Sequence, residues 1–408
     1  AKQAHRNADG RGCRLVTTSN ATVPAQHGMA EHSHGAGVPI QIRSARLRSA
    51  DVADFGPVSR VEEQYRYITS ERLAGLDADH LDEYIGDIAI KHPEGVTTAW
   101  VGADHPAFGG AGLPEDRPSA AAWGSAEQAY LVTIPGDAKA DCEVQIGINS
   151  ETDTPSALHI IIDAKPFSRG TIILDHKGAA VLGENVEIIV GDEAEITVIS
   201  IQDWDTNAVH NSAQFAKLGR NSKLRHMVVS LGGKTLRVST SAEFTKPGGD
   251  VELLGMYFAD AGQYIENRLY VDHAVPNCKS RVTYKGALQG DKAHTVWVGD
   301  VLIRMAAEGT DTYELNRNLL LTDGARADSV PNLEIETGKI EGAGHASASG
   351  RFDDEQLFYL QARGINEREA RRLVVRGFLN EIIQKIGNEE IESRLSASIE
   401  AELERSGS

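Results

Sequence analysis

Cysteine is scarce in this sequence, and the three cysteines that occur lie far apart. Cys13, Cys142 and Cys278 form no CxxC pair, so the sequence indicates neither a disulfide framework nor a thiolate metal site. This usage favours a reducing, cytoplasmic setting. The chain also contains no apolar run of the ~20 residues that a membrane span needs. An apolar segment of the secretory type is missing near its start, so we do not expect export.

Basic residues are outnumbered by acidic ones. The 41 Lys and Arg residues against 59 Asp and Glu residues give a formal net charge of −18. A chain of this charge repels a phosphate backbone and an anionic membrane surface, so we expect neither nucleic acid nor a membrane as a partner. With 408 residues the chain is long enough for two or three domains of about 100–200 residues each.

The motifs of common enzymes are missing as well. The sequence contains no GxSxG elbow, no HExxH and no complete GxGxxG in a βαβ setting. The stretch "LGGKT" at 231–235 resembles the end of a phosphate-binding loop, but Val228 stands where the first glycine of that motif belongs. Its setting between two predicted strands favours a hairpin turn instead.

Two segments precede the regular part of the chain. Residues 1–55 are rich in Ala, His, Ser, Arg and Gly without an apolar period, which predicts a disordered tail. His27, His32 and His34 lie close together in it, but this composition provides no rigid surroundings for a metal, so we interpret them as part of a solvated tail. Residues 56–128 predict a region of short amphipathic helices and irregular loops.

Residues 129–350 consist of short segments rich in Val, Ile, Leu and Thr, separated by Gly, Asn and Asp turns, which predicts strand after strand. The turns at Gly191, Gly219, Gly248 and Asn277 are separated by 28, 29 and 29 residues. Such a period is typical of a solenoid, in which each turn buries its face against the next. The prediction is a mainly β protein with a parallel β-helix core, and a β-sandwich is the alternative.

Residues 351–408 predict helices. Asn366 followed by Glu369 is a capping signal, and apolar residues then recur at three- and four-residue steps as far as Ile386. A helical region this small must pack its apolar stripe on the solenoid, on its own helices or on a partner. Its aromatic and arginine side chains are candidates for a protein interface: Phe358, Tyr359, Arg363, Arg371, Arg372 and Arg376.

Several stretches together resemble the SufB/SufD family of iron-sulfur cluster assembly proteins. "NRNLLLTDGARADSVPNLEI", "GAGHASASGRFDDEQLFYLQARGI" and "EARRLVVRGF" are similar to the C-terminal half of that family, most of all to its actinobacterial SufD branch. "VDHAVPNCKSRVTYKGAL" and "VWVGDVLIRMAAEGTDTYE" extend the likeness upstream, and "SRVEEQYRYITSERLAGL" is similar to the short N-terminal motif of SufD. The resemblance spans roughly residues 59 to 387.

The resemblance implies a right-handed parallel β-helix with small helical regions at both ends. It implies that the chain is a non-catalytic scaffold subunit, which pairs with a SufB-like sister subunit through the β-helix and binds a SufC-like ABC-type ATPase through its C-terminal helices. His345 matches the histidine that the family places at the interface with the sister, where it helps to hold iron or a transient iron-sulfur cluster. A reduced flavin in the complex is allowed by the resemblance.

The sequence departs from the sister subunit at the positions that carry soft ligands. Asn316 stands where the sister has an essential cysteine, Ala346 replaces its glutamate, and Ala343 replaces a cysteine that some SufD chains have. His345 is therefore expected to complete a site shared with the sister, and the isolated chain is expected to hold no cofactor. Alone, the chain is expected to form a homodimer or an unstable oligomer.

Two other interpretations stay open at this point. Cys278 with the nearby His273 is a secondary candidate for a reactive site, although a small buried residue in a strand is favoured for Cys278. The whole chain can also be a structural adaptor that positions the ATPase without touching metal. A carbohydrate-active β-helix enzyme is a further alternative, which the missing signal segment disfavours.

Overall fold

The computed structural model describes residues 46–136, 142–351 and 354–405. Strands dominate it, and most of them are ten residues long: β1 Asp82–Glu83, β2 Asp87–Lys91, β3 Thr97–Gly102, β4 Gln128–Ile134, β5 Cys142–Ala164, β6 Arg169–Val190, β7 Glu195–Trp204, β8 Val209–Leu218, β9 Lys223–Ser230, β10 Thr235–Phe244, β11 Asp250–Ala259, β12 Tyr264–His273, β13 Lys279–Leu288, β14 His294–Ile303, β15 Asp311–Leu320, β16 Arg326–Ile335 and β17 Gly342–Arg351.

Helices lie on both sides of this run of strands in the sequence. Two precede β4 and three follow β17: α1 Ser70–Leu73, α2 Arg117–Ser125, α3 Asp354–Ala362, α4 Glu367–Ile383 and α5 Glu389–Arg405. Asn366 caps α4 as its sequence predicts, because its side chain accepts a hydrogen bond of 2.9 Å from the Glu369 N–H. No helix of the described residues is long and apolar enough to cross a membrane.

The strands form a solenoid. From β6 onward each strand pairs in parallel with the strand two places along the chain, which gives one ladder through β6, β8, β10, β12, β14 and β16 and another through β6, β7, β9, β11, β13, β15 and β17. We call them the first and the second sheet. Together they make about eight turns. The predicted parallel β-helix is confirmed, and the alternative of a β-sandwich is wrong.

One corner of the solenoid repeats a left-handed backbone conformation on successive turns. The residues with positive φ at this corner are Glu193, Asn221, Gly248, Asn277 and Gly309. Their amides reach the next turn, as in the bond of 2.8 Å from the Glu193 N–H to the Arg220 carbonyl. Two of the predicted turn positions, Gly191 and Gly219, lie two residues before the left-handed residue. The other two, Gly248 and Asn277, adopt positive φ themselves. The turn period thus locates the corner at all four positions and coincides with the left-handed residue at two of them.

Apolar side chains fill the lumen and cover the outer faces of both sheets. Inside, alternate residues such as Leu174, Ile188 and Leu253 are fully buried, as expected for strands with one face toward a core. The residues before β5 pack on the outer face of the first sheet. Helices α3 to α5 pack on the outer face of the second sheet. The C-terminal stripe therefore packs against the solenoid.

The start of the described chain is held on the solenoid. Arg46 forms ion pairs with Glu115, at 2.8 Å, and with Asp300, and its guanidinium lies 3.8 Å from the centre of the Tyr270 ring. Residues 46–55, which the sequence assigns to the tail, thus contact the folded part. The rest of the predicted tail, including His27, His32 and His34, lies outside the described residues.

Candidate functional site at the last turn of the solenoid

The last turn of the solenoid, made of β16 and β17, has unpaired strand edges. Among the described residues β16 forms a ladder with β14 alone, and β17 forms one with β15 alone. The outer edge of each strand therefore presents free backbone N–H and C=O groups, which pair readily with a strand of another chain. Small side chains in β17, from Gly342 to Gly350, let another backbone approach closely.

His345 lies in the middle of this turn. In the parallel register it stands opposite Glu314 of β15, so both side chains lie on the same face of the second sheet. For Glu314 that face is the closed lumen, and the residue is 1% exposed. His345 is exposed, because no further turn covers the lumen here. The structure thus presents the predicted imidazole at an open end of the lumen.

Asn316 and Ala346, two positions where the sequence departs from the sister subunit, lie on different faces of the second sheet. Asn316 lies on the same inner face as His345, fully buried, and is opposite Ser347 in the register. Its amide nitrogen donates to the Tyr257 hydroxyl at 2.9 Å, and its amide oxygen accepts from the Ser329 hydroxyl at 2.6 Å. These hydrogen bonds fix the Asn316 side chain inside the lumen. Ala346 points to the opposite face of β17 by strand alternation.

Glu314 is a residue of this site that the sequence reasoning missed. Burial, together with the nearby carboxylate of Asp300, raises the pKa of Glu314 to about 8. Neither of its carboxyl oxygens has a hydrogen-bond partner among the described residues. Trp297, whose indole N–H is also unpartnered there, lies beside it, since both side chains approach Gly299. Glu314 is thus a buried carboxyl group that retains its proton at neutral pH.

The donor set limits what the last turn can do chemically. His345 offers imidazole nitrogen, a good ligand for iron, whereas Ala343 on the same face and Ala346 on the other offer none. Iron-sulfur clusters are held mainly by thiolates, and the two described cysteines, Cys142 and Cys278, are buried elsewhere. The inner face of β17 can therefore supply one imidazole bond to a metal whose other ligands come from a second molecule.

The secondary pair, Cys278 and His273, is buried in the solenoid. The thiol of Cys278 lies 3.5 Å from the Pro276 carbonyl oxygen, and burial raises its pKa. His273 bonds to the Ser280 hydroxyl at 2.9 Å, and burial lowers its pKa to about 4. These positions suit a thiol that stays protonated and an imidazole that stays neutral. They give the pair a packing role.

Three of the predicted partner residues form an exposed group on and just after α3. Phe358 is 72% exposed and Tyr359 is 56% exposed. The guanidinium of Arg363 lies 4.6 Å from the centre of the Tyr359 ring, a cation–π contact that holds both side chains at the surface. Large exposed aromatic side chains are costly in water and are frequent anchors of protein interfaces.

The other three arginines make ion pairs within the helical region. Arg371 pairs with Glu367 of its own helix at 2.8 Å. Arg372 forms an ion pair with Glu400 of α5, and Arg376 lies 3.8 Å from the same carboxylate. Arg372 and Arg376 therefore link α4 to α5. These ion pairs contribute to the packing of the two helices on one another.

A further group of polar side chains lies inside the solenoid, and sequence reasoning missed it too. His176, Glu184 and His210 are fully buried in the lumen, with ligand atoms within 4.8 Å of one another. Burial lowers the pKa of His210; for His176 burial is outweighed by Glu184, and its pKa is raised. The turn period could have indicated this group, because residues 28 positions apart are opposite one another in the register. Glu184 is opposite Ser212, which places His210 on the neighbouring strand within reach of Glu184.

Comparison with known proteins identifies the family. Residues 147–378 match the family described as SUF system FeS cluster assembly, SufBD core domain. An iron-sulfur cluster assembly SufBD family protein of Mycobacterium tuberculosis is 50% identical over 364 residues, which cover 87% of this chain and 92% of that protein. A SufBD family protein of Mycobacterium leprae is 49% identical over 363 residues, covering 87% and 93%.

A more distant relative carries a more specific name. The iron-sulfur cluster assembly protein SufD of Escherichia coli is 30% identical over 169 residues, which cover 41% of this chain and 40% of that protein. The family match covers more than half of the chain, and the mycobacterial relatives match it along most of their length. This chain therefore belongs to the SufBD family of iron-sulfur cluster assembly proteins.

Proposed function

We propose that this chain is the SufD-like, non-catalytic subunit of an iron-sulfur cluster assembly scaffold. In this role it pairs with a SufB-like sister subunit through the last turn of the solenoid and binds a SufC-like ABC-type ATPase through its helical C-terminal region. The observation that carries the proposal is the open last turn with His345 on its inner face. Family membership supports the wider role in cluster assembly.

The unpaired edges of β16 and β17 support pairing with a sister solenoid. A second β-helix with a similar last turn extends both sheets across the junction and satisfies the free backbone groups of both chains. Homodimer formation by the isolated chain follows from the same edges and is part of this proposal. The reduced flavin that the resemblance allows stays a prediction.

His345 is proposed as one ligand of a metal site that the two subunits share. Its neighbours in the last turn add no thiolate, so the iron or cluster is cargo held mainly by the sister's donors. An imidazole from this chain adds one directional bond and orients the site. The adaptor alternative differs only in this contact, because an adaptor does not use the imidazole.

The test uses the complex of this chain with its sister and ATPase subunits, purified anaerobically from the natural host. His345→Ala removes an exposed side chain, so the three subunits should still co-purify, and the free energy of unfolding should change by less than about 0.5 kcal/mol. Iron and sulfide bound per complex should fall. The matched control is Ser347→Ala, an exposed position on the same face two residues along β17.

The two interpretations give opposite results in this experiment. Reduced iron and sulfide with His345→Ala, alongside unchanged values with Ser347→Ala, supports the shared site. Iron and sulfide at the level of the unmodified complex in both variants would remove His345 from the site and leave the adaptor role.

The exposed group on α3 is proposed as part of the ATPase contact. Phe358→Asp should weaken binding of the purified ATPase at least about tenfold, since interface aromatics typically contribute more than about 1.4 kcal/mol. The control is Phe167→Asp, which changes an aromatic residue that is 64% exposed at a corner of the solenoid. Isothermal titration calorimetry measures both. Equal affinities for the two variants would contradict this location of the contact.

A further inference from the structure

A cluster of two histidines and a glutamate spans the lumen far from the last turn. Strand β6 bends near Gly178, where φ is +88°, so its first half lies in the second sheet and its second half lies in the first sheet. His176 and Glu184 thus face each other across the lumen. His210 lies on β8, one turn further on, next to Glu184 on the first sheet. All three are at most 1% exposed.

The glutamate lies between the two imidazoles, with one oxygen toward each. The distance from Glu184 Oε1 to His176 Nε2 is 2.9 Å, and the distance from Glu184 Oε2 to His210 Nε2 is 3.4 Å. The Ser212 hydroxyl donates to Oε2 at 2.7 Å. These contacts fix the carboxylate in the middle of the group.

Hydrogen bonds at the other ring nitrogen determine the tautomer of each histidine. His176 Nδ1 lies 3.0 Å from the Ile201 carbonyl oxygen, which can only accept, so this nitrogen carries the proton. His210 Nδ1 lies 2.6 Å from Gln202 Oε1. The Trp204 indole N–H donates to the same oxygen at 2.8 Å, which confirms that the amide oxygen faces His210.

His210 Nδ1 must therefore donate as well. Trp204 Nε1 also lies 3.1 Å from this nitrogen, but an unprotonated Nδ1 would face Gln202 Oε1 at 2.6 Å as acceptor against acceptor, which is repulsive. With the proton on Nδ1, a neutral His210 directs the lone pair of Nε2 at a carboxylate oxygen. This Nε2 atom has no hydrogen-bond partner among the described residues, and a buried acceptor without a partner is costly.

We propose that His176, Glu184 and His210 bind a divalent transition-metal ion, of the zinc or ferrous iron class, inside the solenoid. Two imidazoles and one carboxylate are a common donor set for such ions. Each ring's second nitrogen is held by an oxygen acceptor, the arrangement that orients metal-binding histidines. A cation between the three groups replaces the proton that His176 Nε2 shares with Glu184, and it gives the unpartnered Nε2 of His210 and the carboxylate a common partner.

The geometry needs only a modest closure. Donor atoms around a tetrahedral ion with metal–nitrogen bonds of about 2.0–2.1 Å lie about 3.3 Å apart, and the three donor atoms here are already within 4.8 Å of one another. Since the group is fully buried, the ion enters as the chain folds and is then retained. It joins the two sheets across the lumen, and so acts as a structural site that is independent of cargo at His345.

The test is metal retention by the full-length chain. The four histidines of the tail, His5, His27, His32 and His34, are first changed to alanine so that they bind no probe ion. The chain is unfolded with a chelator, refolded with Zn²⁺ or Co²⁺, and desalted. We expect close to one ion per chain by elemental analysis, and for Co²⁺ the visible absorption of a four-coordinate site.

Two variants and a control decide the location of the ion. His210→Gln and Glu184→Gln should each reduce the bound ion at least about tenfold. Two conservative variants are used so that a failure of one to fold leaves the other as the test. His226→Gln is the control, because His226 is an equally buried lumen histidine that bonds to Gln214 Oε1 at 2.6 Å outside the group.

Retention of the ion by His226→Gln together with its loss from the other two supports the site. The proposal is overturned by a refolded parent chain that holds no ion after desalting. It is equally overturned by an ion that persists in both His210→Gln and Glu184→Gln.

Discussion

Arg237 on β10 holds the N-terminal region against the solenoid through a buried ion pair. Its side chain is 1% exposed, and its guanidinium forms an ion pair with Asp116 and donates a hydrogen bond of 3.1 Å to the Asn211 amide oxygen. Its Nε lies 3.5 Å from Glu266. Asp116 in turn caps α2 by accepting from the Ser119 N–H at 3.0 Å. The Arg237 guanidinium thus links strand β10 to helix α2, which packs on the sheet.

Arg237→Met keeps much of the side-chain length and removes the charge. Glu266 retains other partners, the Tyr264 hydroxyl at 2.7 Å and Arg268 at 3.0 Å, so the main cost comes from Asp116, which is left as an uncompensated buried carboxylate. Removing one partner of a buried pair typically costs about 3–5 kcal/mol. We expect a loss of that size at pH 7 in the free energy of unfolding.

The pH dependence follows from the same pair. Burial alone would raise the pKa of Asp116, but Arg237 outweighs it, and the pKa is lowered from its usual value of 3.8. The pair's contribution is therefore complete above pH 4 and is lost as the pH falls through the lowered pKa. In the variant Asp116 takes up a proton more readily, so the difference from the parent chain shrinks as the pH falls.

Urea unfolding followed by tryptophan fluorescence measures the effect, with Trp123 on α2 reporting on the region. Arg48→Met is the control, because its ion pairs with Glu115 and Glu243, at 3.1 and 3.0 Å, are partly exposed and should contribute at most about 1 kcal/mol each. Arg237→Met combined with Asp116→Asn should recover part of the loss, since asparagine still caps the helix. Equal losses for Arg237→Met and Arg48→Met would refute the reasoning.

Two further predictions concern the lumen. Burial raises the pKa of Glu314 from 4.5 to about 8, so the folded chain keeps a proton that the unfolded chain releases, and the free energy of unfolding falls as the pH rises from about 4.5 to 8. Glu314→Gln should remove this pH dependence and raise the free energy of unfolding by roughly 3–5 kcal/mol at pH 8. Parallel pH profiles of the urea midpoints of the variant and the parent chain would contradict this prediction. Gly286→Ala would place a Cβ in steric conflict with a ring carbon of Tyr257, so we expect the free energy of unfolding to fall by about 3 kcal/mol. Gly338→Ala, which meets nothing within 4 Å, should have the urea midpoint of the parent chain.

The solenoid was predictable because its two rules are local. Strand alternation and turn residues at a fixed interval are both visible in the sequence, and they predict the parallel β-helix. The capping signal at Asn366 is equally local. The choice of left-handed residue at the corner depends on stacking between turns, which the sequence of one turn does not contain. Glu193 and Asn221, two residues after Gly191 and Gly219, adopt it without a local signal.

The covering of the first sheet was not predictable in the same way. The contact between Arg237 and Asp116 joins residues 121 positions apart, and no pattern near either residue indicates it. The sequence assigns residues 46–55 to the tail for the same reason, because their fixed conformation depends on contacts with distant residues such as Asp300. Ion pairs of this kind form only between residues that the complete fold brings together. Composition alone therefore does not indicate that residues 46–55 contact the solenoid.

The candidate site was half predictable. His345 stands out because small residues surround it, but Glu314, opposite it in the register, lies in an ordinary alternating strand. A buried carboxyl group has no local signature, and its environment comes from Trp297 and Asp300 one turn earlier. His176, Glu184 and His210 were missed for a related reason: only the turn period, applied to polar residues of the same strand face, brings them together.

The last turn differs from the others because the other described elements of the chain do not cover its inner face and outer edges. The N-terminal region covers the outer face of the first sheet, and α3 to α5 cover that of the second sheet, while each inner turn closes the lumen of the one before. Strands β16 and β17 have a preceding turn and no following one among the described residues, so their edges and inner face stay accessible. A metal ligand placed on any earlier turn would be sealed in the lumen, as His176 is, and would suit a permanent ion. The proposed exchange of cargo with a partner requires an accessible ligand, and His345 lies on the accessible last turn.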